Sequence, residues 1–182
     1  MPSSTSGMSK SPVIPGKRVG TKRRDMRWQA PDGTVWASRF EYGVFLTHAS
    51  AGIPVRKCDE SDCVRYTRPV RNAACGECGS ARVATTHTYT PDLSVDPEEH
   101  RKRKALDDSG PYVIECKGYL RADRRSLLRA LCKERPDLPL RFIVERDYKV
   151  SRSLSITGWI RKFLKKPAVV WDGNPPDWSR LT

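Results

Sequence analysis

The chain has 182 residues, with 34 lysines and arginines against 21 aspartates and glutamates, a formal net charge of +13. At 37% hydrophobic and 30% charged it can build one core with a small insertion or tail, while its charge draws it to polyanions. No apolar run approaches the roughly 20 residues that span a bilayer, and the opening "MPSSTSGMSKSPVIPG" lacks the apolar centre of a secretory signal. The expected class is a protein of the cytoplasm that meets nucleic acid and no membrane.

Residues 1–25 read as a flexible basic arm, since the first 24 hold six basic residues and no acid among Ser, Pro and Gly. Lys22, Arg23 and Arg24 are its candidate phosphate contacts; the alternative is a solubilising tail. Residues 26–182 form the main domain. "MRWQAPDGTVW" suggests two short strands around a Pro-Asp-Gly turn, and "ASRFEYGVFLTHAS" a helix starting near Ser38. "TTHTYTPDLSV" is a strand candidate, followed by the charged "DPEEHRKRKALDDSGP", read as an exposed loop or extended hairpin. "YVIECKG" is a strand, "RADRRSLLRALCKERPDLP" a helix burying Leu127, Leu128 and Leu131, and "LRFIVE" a strand, so these three form a parallel crossover unit. "SITGWIRKFLKK" and "AVVWD" add a helix and a strand, with Trp159 and Trp171 assigned to core packing. The fold class expected is α/β.

Six cysteines are present, four of them within residues 58–78. Four residues separate Cys58 from Cys63, two separate Cys75 from Cys78, and eleven separate the pairs. That spacing suits a closed tetrahedral Zn²⁺ site of structural kind, a small zinc ribbon inserted at residues 56–83. Free thiols or disulfides are the alternative, and disulfides are disfavoured in a reducing compartment. Cys116 and Cys132 fall in core-like segments and read as small hydrophobes.

In "YVIECKG", Glu115 and Lys117 share one face of a strand and Cys116 takes the other. Metal-dependent phosphodiester cleavage needs carboxylates to hold a divalent cation and benefits from a positive group beside the attacking water. A second acid must then arrive from a neighbour, and Asp92, after Pro91, is placed to supply it. Pro-Asp ending one strand, then an apolar strand ending Glu-Cys-Lys, then helix and strand, is the order of the PD-(D/E)XK nuclease core.

"HTYTPDL", "YVIECKGYLRADRRSLLRALCKERPDLPLRFIV" and "SITGWIRKFLKKPAVVWD" resemble the endonuclease I family of T-odd bacteriophages, Holliday-junction resolvases of the PD-(D/E)XK superfamily. The resemblance covers about residues 37–57 and 87–178. It implies a mixed sheet flanked by helices, with Glu41, Asp92, Glu115 and Lys117 as the catalytic set. It also implies Mg²⁺ or Mn²⁺ held by Glu41, Asp92, Glu115 and the Cys116 carbonyl. From spacing alone, "SRFE" reads rather as a capping box in which Glu41 bonds back to Ser38, and the resemblance reverses that preference. The zinc insertion and the long span between Asp92 and Glu115 depart from the family pattern.

By the same resemblance the partner is branched double-stranded DNA, cut to 5′-phosphate and 3′-hydroxyl ends in a bacterial host cytoplasm. Symmetric cutting of two strands implies a homodimer. Arg121, Arg124, Arg125 and Arg129 follow the Glu-Cys-Lys strand and are candidates to line the phosphate path, or form a solvated helix face. Two other readings stay open: a non-catalytic zinc-bearing DNA-binding module, and a repair or site-directed endonuclease on the same core.

Overall fold

A computed structural model of the chain describes residues 14–20, 27–70, 83–95 and 111–178. Its centre is a mixed five-stranded sheet. In chain order the members are β4 (Val55–Lys57), β7 (Leu93–Val95), β8 (Tyr112–Lys117), β9 (Leu140–Val144) and β12 (Ala168–Val170), and the spatial order is β12-β9-β8-β7-β4. β8, β9 and β12 run parallel, while β7 pairs antiparallel with both β8 and β4. All five residues of β9 are buried, as expected of a parallel strand covered on both faces.

Helix α2 (Ala122–Glu134) makes the crossover from β8 to β9, and between β9 and β12 lie the antiparallel pair β10 (Lys149–Ser151) and β11 (Leu154–Ser155), then α3 (Ile156–Trp159). Both helices pack on one face of the sheet, where Leu128, Leu131, Phe142, Val144, Ile156 and Ile160 form a core. Helix α1 (Arg39–Ser50) covers the other face, burying Phe40, Tyr42 and Val44 against Leu93, Ile114, Cys116 and Ile143. The period of two along β8 therefore sorts its side chains between two helical layers. The fold is mixed α/β with helices on both faces of a mixed sheet, and among the described residues no helix is long and apolar enough to cross a membrane.

Four sequence expectations change. The basic arm carries a strand, β1 (Lys17–Val19), which pairs with β2 (Arg27–Gln29), and β2 pairs in turn with β3 (Val35–Trp36). The Trp28 indole donates to the Pro15 carbonyl at 3.0 Å, tying that segment down. Lys22, Arg23 and Arg24 lie outside the described residues.

"TTHTYTPDLSV" is not one strand. β6 (Val83–Tyr89) pairs with β5 (Val64–Val70), whereas β7 begins at Leu93 and belongs to the main sheet. Thr90, Pro91 and Asp92 carry the chain between the two sheets, and Pro91 cannot donate to a ladder.

Where it is described, the 56–83 segment is tied into the rest of the fold. β4 is an edge of the main sheet, and β5 (Val64–Val70) with β6 (Val83–Tyr89) forms a seven-rung hairpin that docks on α2. Tyr66 joins the α2-side core, and Glu134 of α2 accepts from the Thr67 amide at 2.5 Å and from its hydroxyl at 2.8 Å. Finally, α3 lasts one turn before a π-helical turn (Ile160–Leu164), which stops at Lys165 in the left-handed region with φ 55°.

Candidate active site

β8 brings Glu115 and Lys117 to the end of the sheet as next-but-one neighbours. Lys117 Nζ lies 2.5 Å from Glu115 Oε1 and 3.5 Å from Asp92 Oδ2. Asp92 is fixed by its backbone on both sides: its amide donates to the Ile114 carbonyl at 3.1 Å, and its carbonyl accepts from the Cys58 amide at 3.1 Å. Its carboxylate then accepts from the Cys116 amide at 2.7 Å. The predicted trio from two strands is thus assembled around one point.

The fourth residue, Glu41, comes from the opposite helical layer. Ser38 caps α1, its hydroxyl accepting from the Glu41 amide at 3.1 Å, but Glu41 makes no return bond to Ser38. The capping box is half formed. Among the described residues nothing hydrogen-bonds the Glu41 carboxylate, although the residue is only 5% exposed. Burial first, then the charge of Asp92, push its carboxyl up to about 7. A buried acid that its neighbours cannot neutralise belongs to a functional site more often than to a plain core.

Burial and Asp92 likewise raise the Glu115 carboxyl, with Lys117 and Tyr89 pulling the other way. Burial works against the Lys117 charge, yet Glu115 and Asp92 outweigh it and hold the ammonium above its ordinary range. With both acids beside it, Lys117 is favoured as the ammonium.

Asp92, Glu115, Lys117, Tyr119, Arg121 and Arg124 line one cleft of about 530 Å³. Arg125 does not line it; its guanidinium sits 5.7 Å from the Trp159 ring centroid. Arg129 lies 5.1 Å from the Phe163 ring centroid. Trp159 is buried, as core packing predicted.

Sequence reasoning assigned no role to Tyr89. Its hydroxyl donates to Glu115 Oε2 at 2.5 Å across 26 positions of chain. Glu115 is thereby held by Lys117 through one oxygen and by Tyr89 through the other. The only signal was indirect: Tyr89 stands within the "HTYTPDL" that resembles the phage enzymes.

Three carboxylates and a backbone carbonyl are hard oxygen donors, the set that Mg²⁺ and Mn²⁺ prefer. The unbonded, buried Glu41 carboxylate beside Asp92 fits a cation by its chemistry. Among the described residues, however, no three His, Cys, Asp or Glu side chains close into a metal-holding group, and Lys117 stands between Asp92 and Glu115.

Of the zinc candidates, Cys58 is buried at the end of β4 and Cys63 is exposed at the foot of the β5–β6 hairpin, both as free thiols. Between them Glu60–Asp62 form one 3₁₀ turn, capped by Asp59. Burial first, then the charge of Asp62, push the Cys58 thiol up to about 12. Cys75 and Cys78 lie outside the described residues. No protein-family model, curated protein or solved structure matched this chain.

Proposed function

We propose that the chain is a metal-dependent DNA endonuclease with a PD-(D/E)XK core, acting on branched DNA such as Holliday junctions. The observation that carries the reading is the convergence of Asp92, Glu115 and Lys117 at the floor of a cleft whose wall holds Arg121 and Arg124. Two acids and a cation within hydrogen-bonding reach of each other, approached past arginines, suit a phosphodiester better than a neutral substrate.

Arg121 and Arg124 bind flanking phosphates, and with their guanidiniums they draw the backbone over the acids. Lys117, held as an ammonium, donates to a non-bridging phosphate oxygen and offsets charge as water attacks phosphorus. The new bond is water oxygen to phosphorus. The bond that breaks is phosphorus to the 3′ oxygen, which takes a proton, and the water loses one. Glu115 and Tyr89 keep Lys117 at the height of the phosphate. Asp92, Glu115 and Glu41, with the Cys116 carbonyl, would hold Mg²⁺ or Mn²⁺, and the ion would supply Lewis acidity to the cleavage. A homodimer supplies two such sites for paired cuts, and a structural Zn²⁺ on Cys58, Cys63, Cys75 and Cys78 belongs to the same reading.

The test is cleavage of a synthetic four-way junction, a mismatched duplex and a matched linear duplex in Mg²⁺, with Asp92→Asn and Glu115→Gln alongside. Paired cuts near the branch point that both variants abolish support the reading. Cutting of the mismatched or linear duplex in preference redirects it to a repair or site-directed endonuclease. Binding by the wild-type protein without Mg²⁺- or Mn²⁺-dependent cutting overturns it in favour of a non-catalytic DNA-binding module.

A further inference from the structure

We propose that Tyr119 is a stacking platform for a base whose face is exposed at a branch, so that the cleft selects DNA opened at a branch over continuous duplex. This rests on the endonuclease reading and names what gives it structural selectivity. Tyr119 is 70% exposed, the most exposed of the large hydrophobic side chains among the described residues. It lines the same cleft as Asp92, Glu115 and Lys117. An aromatic ring left in water two residues beyond Lys117 gains nothing for the core.

The ring is nevertheless held. It lies 4.9 Å, centroid to centroid, from Tyr148 at an interplanar angle of 33°. Tyr148 is itself pinned: its hydroxyl accepts from the Leu120 amide at 2.6 Å and donates to the Leu120 carbonyl at 3.2 Å. Leu120 is 1% exposed and part of the α2-side core. Tyr148 thus backs one side of Tyr119 while the exposed side stays open to a partner. Fixing the ring in advance lowers the entropy lost when something stacks on it.

The occupant has to be flat, apolar on its face and attached to negative charge. A nucleotide base meets all three conditions, because Arg121 and Arg124 stand along the same cleft for its phosphates. Bases inside a continuous duplex are stacked on each other and present no free face, whereas bases at a branch do. Stacking on an aromatic is indifferent to which base arrives, so the contact reads structure and not sequence. Among the described residues no other aromatic is as exposed: Trp36, Trp159 and Trp178 are buried, and Phe163, 40% exposed, already has Arg129 at 5.1 Å and Lys162 at 5.6 Å from its centroid.

The experiment measures binding to a four-way DNA junction and to a matched linear duplex in EDTA, by anisotropy, for wild type, Tyr119→Ala, Tyr119→Phe and Tyr119→Trp. A second junction carries 2-aminopurine at the branch point as a stacking reporter. Expected is a loss of about tenfold in junction affinity for Tyr119→Ala, in the range of one base–aromatic stack. Duplex affinity stays unchanged, and the 2-aminopurine signal seen with wild type disappears. Phe and Trp retain both junction affinity and signal.

If Tyr119→Ala leaves junction affinity intact, or weakens junction and duplex equally, the inference fails. It fails too if Tyr119→Phe behaves like Ala, since the hydroxyl and not the ring would then matter. Cleavage of the same DNAs in Mg²⁺ separates the two levels. A wild type that cuts junctions while Tyr119→Ala remains equally selective sinks only the stacking role; a wild type that neither binds nor cuts any of them sinks the endonuclease reading with it.

Discussion

Lys117 Nζ and Glu115 Oε1 are 2.5 Å apart on one strand, and the lysine also reaches Asp92 Oδ2 at 3.5 Å. The ammonium is the single cation that neutralises both acids within the described trio, the buried Glu115 and the half-buried Asp92. Lys117→Met should therefore do two things. Cleavage should fall by about 10²-fold or more, the scale for losing a charge-stabilising donor. Stability should also fall, because breaking a buried pair strands its partner. A double variant with Glu115→Gln should recover much of the lost melting temperature but none of the activity. If the double variant is no more stable than Lys117→Met alone, the pairing is not what holds this region.

Glu41 predicts a pH dependence. Its carboxyl is raised from 4.5 to about 7, so between those values the folded chain binds more protons than the unfolded one. Stability contributed by the protonated acid is then fully present below pH 4.5 and is lost as pH rises through 7. That shift corresponds to an upper bound on the order of 3 kcal/mol. Glu41→Gln should melt near wild type at pH 5 and above it at pH 8, with both proteins in EDTA. Equal melting temperatures at both pH values would mean that burial and Asp92 do not raise the carboxyl.

Tyr89 separates holding Glu115 from merely filling space. Tyr89→Phe removes one donor to Glu115 Oε2 while keeping the ring. The expected cost is about 1–2 kcal/mol in stability, from a buried acceptor left unsatisfied. Cleavage should need more Mg²⁺ to reach half its maximum, because Glu115 is no longer held in one orientation. An unchanged Mg²⁺ dependence with lowered stability would assign Tyr89 to packing alone.

The cysteines make a prediction about metal content. Cys58 and Cys63 flank the single turn that leads into the seven-rung hairpin, while Cys75 and Cys78 lie outside the described residues. Protein purified without chelator should carry one zinc per chain by elemental analysis, and Cys58→Ser should lose it. Because the Cys58 amide donates to the Asp92 carbonyl, zinc loss should also lower cleavage. Protein that carries no zinc while cutting normally would remove the ribbon from this account.

Gly43 tests how α1 is seated. A Cβ there would come within 2.5 Å of Ile14 Cδ1 and 2.8 Å of Trp171 Cη2. Gly43→Ala should gain helix propensity yet lose about 1–3 kcal/mol through overpacking. Glu41, two residues earlier on the helix, should move with it, so activity should drop as well. A more stable variant would show that the segment around Ile14 yields freely.

What the sequence determined by itself is whatever short-range rules govern. Ser38 starts a helix because its hydroxyl can take the amide three residues on. Glu115 and Lys117 share a face because a strand alternates, and the β8–α2–β9 unit follows from periodicity and from Pro136 after the helix. Tertiary structure decided everything that joins distant positions. It divided residues 83–95 between two sheets, since Pro91 and Asp92 sit where β6 leaves the hairpin and β7 enters the main sheet. It left the capping box half made, releasing Glu41 toward Asp92, because α1 packs on the face of β8 that carries Cys116. It also set the Tyr89 hydroxyl on Glu115 and the Tyr119 ring against Tyr148. Spacing along a chain reports which side chains share one element's face. Which faces meet depends on how layers pack, and that is settled by burial summed over the whole core.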